Sequence, residues 1–349
     1  MIFKIVDKKK IVTFFLVILI PIFIFSFMSK SQKTIPVFNE ESEKKSDFIK
    51  YAEFNITYEA LNKAMKIDIA SQEKEIKINW IDVLSHLGAK YGGDFKNKYK
   101  AKDMDNLIKE VNSGKTVDEL SEKMKYYKYY SEIYNAVLSQ FVGRYSIQTG
   151  VDENSNEPIF EEKYGLKAFS PIAKTFPYQH YDDFGASRSY GYARPHLGHD
   201  MMAATGTPVI AIESGVVEIM GWNQYGGWRI GIRSFDKKRY YYYAHLRKDK
   251  PFHDDLCEGK IVKAGDVIGY VGRTGYSPNE NVNNIETSHL HVGLELIFDE
   301  SQKECNNEIW VDLYGITNLL YNNQSAVKRN PQTKQYFRQK EFTEPSLTN

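Results

Sequence analysis

From about Thr207 onward the chain breaks into short β-rich runs: PVIAIES, GVVEIMG, GWRIGIRS, RYYYYAHL, KIVKAGDVIGYVG, SHLHVGLEL and EIWVDLYGI. Gly, Asp and Asn turns separate them, and no helical crossover intervenes. Many short strands closed by turn residues predict an all-β domain. The preceding part reads differently. Between about Ile56 and Gly143 the apolar residues recur at helical spacing. Trp80, Ile81, Leu84, Leu87 and Tyr91 follow Asn79, a suitable N-cap, and precede Gly92, a suitable stop. Met104, Leu107, Ile108 and Val111 form a second stripe that ends near Gly114. Thr116-Val-Asp-Glu119 is a capping box opening a third helix whose stripe runs from Leu120 to Phe141. An earlier helix is expected over Tyr58 to Ile67. In this small all-α domain His86 reads as structural. The tyrosines of KYYKYY (Lys125 to Tyr130) read as core and rim, or else as a surface for a protein partner.

Composition excludes two broad classes. Hydrophobic residues are 42% and charged residues 26% of the chain, too much core and too little charge for disorder. With 46 basic and 45 acidic residues there is no basic excess of the kind that binds nucleic acid. Two cysteines, Cys257 and Cys305, are too few for a disulfide framework and have no CxxC neighbour.

Ile11 to Met28 reads IVTFFLVILIPIFIFSFM, without a charge. As a helix it would span roughly 27 Å, close to the hydrocarbon thickness of a bilayer. Lys4, Lys8, Lys9 and Lys10 precede it, which places the N-terminus in the cytoplasm and the rest outside. SFMSKSQ offers no small-residue cleavage site, so an uncleaved, single-pass anchor is expected rather than a signal peptide. The expected organisation is a cytoplasmic tail (1–10), a transmembrane anchor (11–28), a linker (29–55), a helical domain (56–148), a β domain (165–320) and a polar C-terminal tail (321–349).

Seven of the eight histidines lie between His180 and His291, so chemistry is expected in the β domain. In His196-Leu-Gly-His-Asp200, Pro195 and Gly198 argue for extended or turned backbone. An even offset then puts His196 and Asp200 on one side and His199 on the other. Ser288-His289-Leu290-His291 would project both histidines from one face of a strand. One of them could bind a metal while the other stands beside it. Two His and one Asp suit a catalytic zinc, because the carboxylate offsets one of its two charges and a fourth position stays open for water. Such an ion lowers the pKa of water towards ~7. The remaining histidines, with Tyr243-Ala-His245-Leu246, can supply a base and an oxyanion donor.

His-x-Gly-x-Asp, then Gly206-Thr-Pro-Val, Ala-His-Leu, Ala264-Gly-Asp-Val-Ile-Gly-Tyr-Val-Gly with Thr274-Gly275, and His-Leu-His follow one another in an order that resembles the lysostaphin/LytM-type zinc metallopeptidases. The resemblance covers roughly Phe184 to Leu296. Enzymes of that family cut peptide bonds in bacterial peptidoglycan. The resemblance implies an antiparallel β-sheet groove, zinc (Zn2+) on His196, Asp200 and His291, and catalytic roles for His245 and His289. It also implies a peptidoglycan substrate. One departure stands out: YSPNENVNNIETS, between Gly275 and His289, is longer and richer in Asn than the family's loop. It is expected to wall the groove and tune substrate choice. The pairing with a helical domain is similar to membrane-anchored proteins of clostridia-like Gram-positive bacteria. A non-catalytic wall-binding or assembly role in sporulation or division, with the β domain as a docking module, is the alternative expectation. A secreted zinc peptidase acting on other proteins is a third.

Overall fold

The structure, a computed structural model, describes residues 49–303 and 307–347. The expected anchor, 11–28, lies outside the described residues, as do the cytoplasmic tail, most of the linker and Cys305. Among the described residues no helix is long and apolar enough to cross a membrane.

Six helices open the described chain: α1 (Tyr58–Ser71), α2 (Trp80–Tyr91), α3 (Phe95–Lys98), α4 (Ala101–Asn112), α5 (Val117–Ser121) and α6 (Tyr127–Leu138). Their ends follow from local chemistry. The Asn79 side chain accepts from the Ile81 N–H at 2.8 Å, and Gly92 ends α2 in the left-handed region at φ 64°. Thr116 and Glu119 exchange the two bonds of a capping box. The single helix expected from Thr116 to Phe141 is instead two. The chain turns after Ser121, whose carbonyl accepts from the Met124 N–H at 2.8 Å, and the Tyr127 hydroxyl reaches back to Asp118 at 2.7 Å. A stripe with three- and four-residue steps is compatible with such a turn, so periodicity alone does not reveal it. Tyr130 of the tyrosine-rich stretch is buried against Tyr134, which itself packs on Phe54 and Phe95, whereas Tyr126 is exposed.

Strands β1 (Val142–Val151) and β2 (Pro158–Leu166) form a hairpin. Its first strand begins within the stretch expected to be helical (56–148) and runs past its end. Most of β2 is exposed, which is why no apolar alternation marked it in sequence. The turn is set by Asp152, whose carboxylate accepts from the N–H groups of Asn154 and Ser155.

The β region begins with β3 (Tyr178–His180), a hairpin of β4 (Ser187–Tyr190) and β5 (Tyr192–Pro195), β6 (His199–Ala203) and β7 (Pro208–Ile210). It continues through β8 (Gly215–Asn223), β9 (Gly227–Ser234), β10 (Arg239–Ala244), β11 (Ile261–Val262), β12 (Val267–Tyr270), β13 (His289–Leu296) and β14 (Ile309–Trp310). The main sheet is antiparallel, in the order β11-β8-β9-β10-β13-β6-β3, with β14 also paired to β13. A helix, α7 (Tyr314–Leu320), follows.

Residues 321–349, read from sequence as a polar tail, carry β15 (Val327–Arg329), β16 (Tyr336–Arg338) and β17 (Phe342–Thr343). The last pairs with β1 and buries Phe342 edge-on against Phe169 at 5.7 Å. Next to it, buried Glu344 accepts from Lys167 Nζ at 2.5 Å and from the Ser214 hydroxyl. One aromatic and one paired carboxylate tie down a segment whose average composition is polar.

Helical and β regions share one continuous apolar core. Arg239, fully buried, joins them: it donates to both oxygens of Glu213 (2.8 and 3.0 Å) and to the Ala136 carbonyl at the end of α6. Arg239→Met removes the cation and leaves Glu213 buried with only the Tyr241 hydroxyl to offset it. Loss of one partner of such a pair costs about 3–5 kcal/mol. Denaturant unfolding should show that loss for Arg239→Met. Adding Glu213→Gln should restore part of it, and an unchanged midpoint would refute the coupling.

Candidate metal centre and active site

Register brings the site together. Strands β6, β13 and β10 are neighbours, with His291 opposite Asp200 on one side and opposite Ala244 on the other. Side chains of directly opposed residues lie on one face, and His289 shares that face two residues from His291. His245 follows Ala244 and would point away if β10 continued. It adopts φ 59° instead, a left-handed conformation unusual for a side chain with a Cβ. Its N–H donates to the Gly226 carbonyl at 2.7 Å and its own carbonyl accepts from the Gly272 N–H. Those bonds hold the strained residue and turn its imidazole into the site.

All five expected residues meet. His196 Nε2, Asp200 Oδ1 and His291 Nδ1 lie 3.0 Å from one another. Ligands about 2.0–2.1 Å from a tetrahedral ion stand roughly 3.3 Å apart, so this triangle closes on an ion with small adjustment. The donors also demand a cation. Asp183 Oδ2 and the Asp183 carbonyl lie 3.1 Å from His196 Nδ1, which places the proton of a neutral ring there. The Nε2 lone pair then faces a carboxylate oxygen and a second imidazole nitrogen. Three lone pairs converging in a buried space need a proton or a metal ion between them. The electrostatics of the three groups carry the same demand. Burial opposes protonation of His196, but Asp183 and Asp200 outweigh it and push its pKa up to about 9. Burial likewise opposes ionisation of Asp200, yet bonds from His196 and His291 hold its carboxyl well below the usual range. No other cluster of three His, Cys, Asp or Glu among the described residues has this geometry.

Gly198 explains part of the spacing. A Cβ there would lie 2.4 Å from the His291 ring, so only glycine lets the ring pack between His196 and Asp200.

The two further histidines stand beside the triangle. The rings of His245 and His289 are 4.8 Å apart, and His289 Nε2 is 3.8 Å from Asp200 Oδ1. Each donates from Nδ1 to a backbone carbonyl, Thr274 for His245 (2.9 Å) and Thr287 for His289 (2.8 Å). A neutral ring so held carries an unprotonated Nε2. Burial, followed by the neighbouring His289 and His291, holds the pKa of His245 well below the ordinary imidazole value.

Sequence reasoning passed over Asp183 and Arg188. Arg188 Nη2 bridges Asp183 Oδ2 (2.7 Å) and Asp200 Oδ2 (3.2 Å), so the pair braces both His196 and Asp200. No sequence signal marks Asp183, which reaches His196 only through the fold. His199 is buried on the opposite side, 2.7 Å from His180 Nδ1 and 3.8 Å from Asp183 Oδ1. His86 pairs with Ser121 at 2.8 Å, far from the site in the helical region. The cavity over the centre, about 90 Å³, is lined by Arg188, Arg194, Tyr225, Tyr242 and Tyr276 besides His196, Asp200, His245 and His291. Tyr276 opens the long loop, which is tied down where Asn281 accepts from Trp228 Nε1 at 2.9 Å.

Residues 194–306 match the model of Peptidase family M23, and the chain therefore carries a domain of that family: a C-terminal LytM-like antiparallel β domain joined to a small helical region. Among curated proteins it is similar to an L-Ala–D-Glu endopeptidase of Bacillus subtilis, 41% identical over 130 residues, or 37% of this chain and 38% of the relative. It is also similar to lysostaphin of Staphylococcus simulans, 42% identical over 83 residues, or 24% of this chain and 16% of the relative. The chain thus spans well under half the length of these relatives. The solved catalytic domain of lysostaphin from Staphylococcus simulans is 30% identical, covers 40% of this chain and 92% of that one, and superposes with a TM-score of 0.32.

Asp183 yields a prediction for the site. Losing a partner that orients a metal-bound histidine typically costs about 10–100-fold in metal affinity. Asp183→Asn should weaken zinc binding by that factor in a chelator competition while leaving the folded spectrum intact. An unchanged affinity would remove Asp183 from the site.

Proposed function

We propose that this chain is a zinc-dependent endopeptidase that hydrolyses peptide cross-links or stem peptides of bacterial peptidoglycan at the outer face of the membrane. The observation that carries the reading is the convergence of His196, Asp200 and His291 at 3.0 Å with two further imidazoles beside them. The match to Peptidase family M23 and the similarity to a relative named an L-Ala–D-Glu endopeptidase support a peptide substrate of this class. The lysines before the uncharged run 11–28 support a cytoplasmic N-terminus and an external catalytic domain.

Zinc held by His196, Asp200 and His291 would supply a Lewis acid that polarises the scissile carbonyl and lowers the pKa of water to ~7. The chain's own residues do the rest. Asp183 and Arg188 keep His196 and Asp200 aimed at the centre. One of His245 and His289, each held by its Nδ1 bond with Nε2 toward the centre, accepts the one proton released when water attacks, and the other stands beside the developing oxyanion. The imidazolium so formed donates to the developing oxyanion or returns the proton to the leaving amine. The tyrosine walls narrow the cavity and limit competing water.

The test is mass spectrometry of muropeptides from purified cell wall incubated with the zinc-loaded protein. New amino and carboxyl ends within the peptide part are expected. Unchanged muropeptides, beside cleavage of a protein substrate, would contradict the proposed substrate.

A further inference from the structure

Two arginines line the catalytic cavity, and they differ in one respect. Arg188 is neutralised by Asp183 and Asp200. Arg194, two residues before His196 on β5, forms no ion pair with any carboxylate among the described residues. Its guanidinium lies 5.6 Å from the Tyr225 ring and 5.7 Å from the Tyr276 ring, and Nη2 donates to the Tyr276 hydroxyl at 3.2 Å. Its Nε is buried without a hydrogen-bond partner. The aromatic rings come from both sides of the cleft: Tyr190 of the β4–β5 hairpin stacks on Tyr276 at 4.8 Å and meets Tyr225 edge-on. The Tyr276 ring in turn lies 5.8 Å from that of His245.

A guanidinium held in an aromatic frame, beside the reacting groups and with no carboxylate of its own, is an incomplete ion pair. Its planar donors match a carboxylate, and removal from bulk water strengthens the attraction. A glycine-only peptide has no side-chain carboxylate to complete it, and with its C-terminus amidated it has none at all. We propose that Arg194, framed by Tyr225 and Tyr276, binds a free carboxylate next to the scissile bond and thereby selects acidic peptides over oligoglycine. The inference rests on the endopeptidase reading and names the substrate class of that same cavity.

Two peptides of equal length test it, differing only in a glutamate or a glutamine beside the amide to be cut, with C-terminally amidated pentaglycine as a third substrate. Both cleavage and calorimetric binding are measured with the full chain loaded with zinc. Wild type should favour the glutamate peptide by about 10–100-fold in kcat/KM and in Kd, the worth of a charge-assisted hydrogen bond. Arg194→Met, which keeps the stem between the tyrosines, should bring the ratio near one, and Arg194→Lys should retain part of it. A misfolded variant lowers both rates and leaves their ratio, so the ratio isolates the carboxylate. Equal cleavage of both peptides by wild type overturns the role of Arg194 and leaves the endopeptidase standing. Preferential binding of the glutamate peptide without cleavage, lost in Arg194→Met, supports the carboxylate site and overturns the endopeptidase reading.

Discussion

His291→Ala is expected to yield a folded protein that does not retain zinc. His291 Nδ1 is one corner of the triangle, and its removal leaves His196 Nε2 and Asp200 Oδ1 alone on an ion that needs three protein ligands. The fall in affinity should exceed the roughly 10–100-fold expected from losing a bracing partner such as Asp183. Hydrolysis should fall with it. The ring packs against Gly198 and lies 6.0 Å from the Tyr242 ring, so the variant also leaves a small cavity. Circular dichroism beside metal analysis separates loss of the ion from loss of the fold. Zinc retained at one equivalent by a folded His291→Ala protein would take His291 out of the ligand set.

The second large effect has the opposite signature. His289→Ala and His245→Ala keep His196, Asp200 and His291, so zinc should remain at one per chain. Turnover should drop by roughly 10²–10⁴-fold, the usual cost of losing a general acid–base group. Since both imidazoles act on one transition state, the double variant should lose little more than either single one. If His289→Ala purifies without zinc while His291→Ala keeps it, the two histidines exchange roles. If neither variant affects zinc or hydrolysis, the site is elsewhere.

Much of this centre was legible because a strand has a period of two. His289 and His291 share a face by alternation alone, whereas His196 stands outside the strands, in the bend between β5 and β6, and it is that bend that brings it to Asp200. The β character of the second half followed from short apolar runs between turn residues. What alternation could not show is the φ of 59° at His245, which redirects a side chain that regular strand geometry would point away. Asp183 and Arg188 were equally hidden, since their roles depend on a loop and a hairpin folding back onto β6. The β1–β2 hairpin and β15 to β17 escaped notice for another reason. β1 is mostly half-buried along its length, β2 is largely exposed, and β15 to β17 are two or three residues long, so burial left no clear apolar alternation to read. Arg239, inside a tyrosine-rich strand, gave no hint in sequence that it would bind the last turn of α6.

Zinc titration of the chelator-stripped full chain tests the central claim most directly, with bound metal and wall-peptide hydrolysis followed in the same samples. Hydrolysis should be absent at the start, rise in proportion to bound zinc and level off at one ion per chain. Full hydrolysis by the stripped protein, or zinc saturating at one equivalent with no peptide bond cut, would contradict it.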